Sequence, residues 1–126
     1  RLVLLKHLYQ LAKLRPDQPA YRERTRELMN ETLTGRQPER MIEVWKEYLG
    51  KGEGHAPLAA EDHNRVLFTS LRHDDLKAAE KAFERLRSCG DELLTTEACR
   101  LLAEEFDKRL MAPKARHYRQ LLQTYS

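Results

Sequence analysis

Apolar side chains recur at steps of three and four along nearly the whole chain, the spacing of one face of an α-helix. Leu2, Leu5, Leu8, Tyr9 and Ala12 make one such stripe, and Met41, Val44, Trp45 and Tyr48 another. Leu76, Ala79, Phe83 and Leu86 make a third. No segment alternates β-branched and polar residues with a period of two, and no Asn-Gly or Asp-Gly pair marks a hairpin turn. Pro19, Pro38, Pro57 and Pro113 each precede a long breaker-free segment, as suits a first helical position where a missing N–H costs nothing. Gly35, Gly50, Gly52 and Gly90 stand at segment ends, where a left-handed residue closes a helix, and Asp74 and Thr95 are suitable N-caps. These signals predict an all-α chain with helices over about residues 2–14, 18–34, 37–49, 57–72, 75–89, 95–109 and 113–124. Connections that short require successive helices to pack as antiparallel hairpins.

Helix pairs of similar length call for a repeat search. Aligning the third and fifth helices on Gly52 and Gly90 puts Trp45 on Phe83, Tyr48 on Leu86 and Met41 on Ala79. Ala115 and Leu122 of the last helix then stand a similar distance beyond Ala79 and Leu86. The units run over 18–53, 57–91 and 95–126, and helix 2–14 is the second half of an earlier unit. Such units bury their apolar faces only by stacking on each other. Residues 1–126 are therefore expected to form a single helical-repeat array, a piece of a longer one.

One unit carries a family resemblance. In "EDHNRVLFTSLRHDDLKAAEKAFERLRSCG", His63-Asn64 stand as an aromatic-Asn pair and Val66-Leu67 as a Leu-Ile pair. Ala79, Phe83, Leu86 and Gly90 follow in the order Ala, Phe, Met, Gly. This resembles the pentatricopeptide repeat, a helical hairpin of roughly 35 residues. The unit before it matches at Leu28-Met29, Trp45, Tyr48 and Gly52, with Arg26 in place of Asn and Met41 in place of Ala. The last matches at Leu101-Leu102, Ala115 and Leu122, with Cys99 at the Asn position and no closing Gly. The Trp-Leu-Gly-Tyr signature of tetratricopeptide repeats is missing, since "WKEYLG" has similar letters in the wrong helix and order.

The resemblance implies a right-handed α-solenoid of about three hairpins plus one leading helix. It also implies binding of single-stranded RNA, messenger or ribosomal, along the concave face of the first helices, in the mitochondrial matrix. On that face an amide can meet a base edge, an aromatic can stack on the base and a cation can meet a phosphate. Asn64, Phe68 and Arg72 stand at the matching positions, with Arg22, Arg26 and Asn30 in the preceding unit. The second polar residue that the family pairs with the Asn type has no clear counterpart after Gly52 or Gly90, so no legible base code is present. A protein-binding role, as in a mitochondrial ribosome subunit or a respiratory-complex assembly factor, therefore stands beside the RNA reading.

Composition changes little of this. At 34% charged and 40% hydrophobic residues, with a mean hydropathy of −0.76, the chain has enough apolar content to bury a core. No apolar run approaches the length of a membrane span. The net charge of +3 is uneven: residues 1–40 carry nine Lys/Arg against five Asp/Glu, and the rest fourteen against fifteen. Cys89 and Cys99 have no metal-site spacing. His63 and His73 lie at opposite ends of one helix, too far apart to share a metal, and no Gly-rich phosphate loop or nucleophile–base spacing occurs. The sequence thus predicts a non-catalytic module with no metal and no cofactor.

Overall fold

The computed structural model describes residues 2–49 and 58–125. Among these, every regular element is a helix: α1 (Leu2–Leu14), α2 (Pro19–Leu33), α3 (Pro38–Glu47), α4 (Ala60–Arg72), α5 (Leu76–Ser88), α6 (Glu92–Lys108) and α7 (Ala112–Gln123). Gly50, Gly52 and Pro57 lie outside the described residues. Pro19, Pro38 and Pro113 occupy the first or second helical position, as their sequence context demands.

The turns explain where the helices stop. Asp74, Gly90 and Leu110 all take a left-handed backbone, with φ of 57°, 78° and 58°. Each is followed at once by the residue that opens the next helix. At two of them the closure is the same: the Asp75 N–H reaches back to the Ser70 carbonyl and the Met111 N–H to the Phe106 carbonyl, both at 2.9 Å. These equivalent turns lie 36 residues apart and fix the register between α4–α5 and α6–α7.

Two caps differ from expectation. Asp75, not Asp74, caps α5 by accepting from the Ala78 N–H (3.1 Å), because Asp74 is consumed by the left-handed position. Asp91, not Thr95, caps α6 by accepting from Leu94 N–H (3.1 Å). With Gly90 left-handed, no loop separates α5 from α6, and α6 starts earlier than the sequence suggested. Thr95 instead lies buried in the first turns, its hydroxyl donating to the Asp91 carbonyl at 2.7 Å. Gly35 ends α2 without entering the left-handed region.

The closest packing is within sequential pairs, α1 on α2, α4 on α5 and α6 on α7. Alternate helices then meet in turn, α2 with α4 and α4 with α6. One contiguous core runs through the described residues, with Leu5, Leu28, Met29, Met41, Trp45, Leu67, Phe83, Leu86, Leu102 and Phe106 almost wholly buried. Phe83 meets the Tyr118 ring edge-on at 5.5 Å, and Phe106 stacks on the same ring at 5.7 Å. Tyr9 of α1 packs on Tyr48 at 5.3 Å, so the first helix is sealed into this core.

Polar links repeat across the pairs. Arg26 of α2 meets Asp62 of α4, and Lys46 of α3 meets Asp75 at the head of α5 (3.1 Å). Arg109, after α6, donates to Asp74 (2.8 and 3.0 Å) and to the Leu71 carbonyl (3.2 Å). Lys114 and Tyr118 of α7 both donate to Glu80 of α5 (3.1 and 2.7 Å).

Candidate nucleic-acid interface

The position of α4 is set at its first turn. The Asp62 carboxylate accepts from the Ala59 N–H at 2.7 Å, from Arg26 Nε at 2.7 Å and from Arg65 Nη1 at 3.0 Å. It is wholly buried, so each oxygen is satisfied by a cation or an N–H rather than by bulk water. Next to it His63 is also buried, and its Nδ1 accepts a hydrogen bond from Trp45 Nε1–H at 3.2 Å. Burial pulls the His63 pKa down to about 4, while the Asp62 charge pulls it upward and Arg85 adds to the lowering. The His63 imidazole is thus a neutral core group.

Asn64, Phe68 and Arg72 form one stripe down the outer side of α4, each step four residues or about 6 Å. Asn64 is half-buried and Phe68 is 47% exposed, against the usual burial of a phenylalanine in a helical stripe. Arg72 is exposed. Among the described residues neither the Asn64 amide nor the Arg72 guanidinium has a polar partner. On α2 the stripe Arg22, Arg26, Asn30 runs alongside, because Arg26 crosses to α4. Arg22 is exposed and unpaired among the described residues, and Asn30 is half-buried.

Arg26 is different. Its guanidinium is taken by Asp62, with Glu23 and Glu61 both at 3.9 Å. It joins α2 to α4 and has little charge left for a ligand. The structure therefore brings all six positions onto neighbouring stripes and leaves Arg22, Asn64, Phe68 and Arg72 with unoccupied chemistry.

The register on α6 corrects one alignment. Cys99 is buried, its Sγ–H donating to the Tyr118 carbonyl at 3.1 Å, and it occupies the place of His63 rather than Asn64. Arg100, exposed and unpaired among the described residues, takes the Asn64 position, followed by Glu104 and Lys108. The 36-residue spacing of the left-handed turns at Asp74 and Leu110 is what places Arg100, and no signal in the sequence marks those turns. Three residues before Arg26, Asn64 and Arg100 stand Glu23, Glu61 and Glu97, all exposed, so an acidic row lies beside the cationic positions.

A groove of about 500 Å³ lies elsewhere, between α5 and α7. Glu80 at its wall is already held by Lys114 and Tyr118. Burial, and then the hydrogen bond to Glu80, push the Tyr118 hydroxyl pKa far upward, so it stays a neutral donor. Among the described residues no group of His, Cys, Asp and Glu is arranged to hold a metal ion, and no helix is long and apolar enough to cross a membrane. No family model, curated protein or solved structure matches the chain.

Proposed function

We propose that the paired stripes of α2 and α4 bind single-stranded RNA, with the helices stacked as a right-handed solenoid of antiparallel hairpins of the pentatricopeptide type acting in mitochondrial RNA metabolism. The observation that carries the reading is Phe68, 47% exposed and set between Asn64 and Arg72. Leaving an aromatic ring half in water forgoes burial energy, and a base stacked on its face recovers it. Asn64 one turn before offers a donor and an acceptor to a base edge, and Arg72 one turn after offers a cation to the backbone. Arg22 extends the cationic contact onto α2.

A protein-scaffold role is the second reading, and the acidic row Glu23, Glu61 and Glu97 favours it. Interleaved with Arg22 and Arg100, these carboxylates make the face nearly neutral, and a polyanion gains little from a neutral surface. Binding of single-stranded oligonucleotides over a range of salt separates the two. The RNA reading expects affinity that falls with salt. Phe68→Ala should weaken it by roughly tenfold or more, for a base stack of about 1–3 kcal/mol. Replacing Arg22 and Arg72 by Ala should flatten the salt slope by about 1.4. No binding at low salt, or binding untouched in both variants, refutes it. A protein partner retained after nuclease treatment, and lost on substituting the acidic row, supports the scaffold reading.

A further inference from the structure

We infer that the outer face of the α6–α7 pair is a closed surface, on which the Asp107–Arg119 ion pair keeps the apolar face of a second copy from packing. None of the six stripe residues takes part, so this surface is independent of the RNA reading.

Each helix pair is covered by the one after it. Trp45 of α3 donates to His63 of α4, and Phe83 of α5 meets Tyr118 of α7, so both rings face the following pair. The alignment that puts Trp45 on Phe83 also puts Leu33 on Leu71, and all four side chains are buried. The 36 residues between the left-handed turns carry Leu71 onto Asp107 and Phe83 onto Arg119. Where two pairs bury apolar groups, the last one therefore presents charges. Both are exposed, and Asp107 Oδ2 accepts from Arg119 Nη1 at 3.0 Å across the two helices. Beneath them the interior type persists: Ala103 is buried and Leu122 half-buried, at the places of the buried Leu67 and Leu86.

These residues line a groove of about 240 Å³ between α6 and α7, with Arg100 and Glu104 on its rim. A helix laid into it would strip water from both members of the pair. Without further hydrogen bonds, their mutual attraction does not offset that loss. Arg100 has no carboxylate partner among the described residues and would lose its water as well. Left in solvent, the pair meets no such penalty and adds little to stability. Its effect is on what can land there. Every copy carries an apolar surface at the other end of the stack, where Val3, Leu4 and Leu14 of α1 are exposed. A polar outer face on the terminal pair is what keeps stacked helical hairpins soluble.

The test is sedimentation velocity of the full chain from micromolar to sub-millimolar concentration. Asp107→Leu with Arg119→Phe puts back the residue types of the interior pairs. This variant should self-associate, its weight-average mass rising roughly twofold or more over a range where that of the parent stays flat. Asp107→Arg with Arg119→Asp keeps an ion pair in the groove and should sediment like the parent. Arg24→Phe with Glu27→Leu makes the same exchange at another exposed ion pair, on α2, and should also sediment like the parent. Asp107→Ala with Arg119→Ala removes the charges without adding bulk, and should associate more than the parent even if the larger side chains disturb the fold. Circular dichroism and Tm of all these variants should match those of the parent, because both pairs are exposed. If neither the apolar nor the alanine variant associates more strongly than the parent, the closed face is overturned. Equal association in the α2 control also overturns it, since added hydrophobicity anywhere would then suffice. So does a parent that self-associates and is made monomeric by Arg119→Glu.

Discussion

Acid should unfold this protein through one buried imidazole. His63 has an ordinary pKa of 6.5 when solvated and about 4 in the fold, because burial penalises the charged ring more than Asp62 favours it. The sign follows from proton counting: between these values the unfolded chain binds a proton that the fold does not. The stabilisation is therefore complete above about pH 6.5 and is lost as the pH falls towards 4. Going from pH 7 to pH 4.5 should cost about 2.5 kcal/mol from this residue alone. Protonating Nδ1 would also strip the buried Trp45 N–H of its acceptor, which reinforces the direction. Urea unfolding followed by Trp45 fluorescence and by circular dichroism measures the loss directly. His63→Gln keeps an acceptor near Trp45 and removes the titration. The variant is less stable at neutral pH, but its stability should depend less on pH than that of the parent by the stated amount. Equal acid sensitivity in the two proteins would refute the reasoning.

Three further outcomes rest on other parts of the fold. Leu110 is 92% exposed and holds φ at 58°, so Leu110→Gly should stabilise by about 1 kcal/mol, read as a rise in Tm of several degrees. Asp62→Ala removes the acceptor shared by Arg26, Arg65 and the Ala59 N–H; it should destabilise by about 2–3 kcal/mol in urea titration, less than a fully buried pair because both arginines can reach water. Ser70 carries a buried hydroxyl with no partner among the described residues, so Ser70→Ala should leave the denaturation midpoint unchanged or raise it.

Much of the helical framework is legible in the sequence, because spacing of apolar residues and prolines at helix starts are local signals. The expected helix 2–14 coincides with α1, and the others agree to within about three residues at each end. The misplacements have two causes. A left-handed non-glycine residue leaves no compositional mark, so Asp74 resembles a cap and Leu110 an ordinary loop residue. Matching Leu101-Leu102 to Val66-Leu67, 35 residues on rather than the 36 that separate the turns, put Cys99, a core thiol, where Arg100 stands. Arg26 is a tertiary matter: nothing local says that its partner is an aspartate 36 residues away. Phe68 shows the converse, since its periodicity suits a core stripe and only the packing leaves it exposed.

The two matching turns also say where the chain can be cut and rejoined. Excising residues 75–110 would bring Asp74 directly before Met111, so a left-handed residue would again precede a helix-opening one. Lys46 would lose Asp75, Lys114 and Tyr118 would lose Glu80 and Arg119 would lose Asp107, whereas Arg109 would leave together with its tie to Asp74. The backbone conformation at the splice is already occupied twice in the parent. Length in this molecule can thus change in a step of two helices, and a shortened chain that still melts cooperatively would have the turn, not the loop, as its unit of construction.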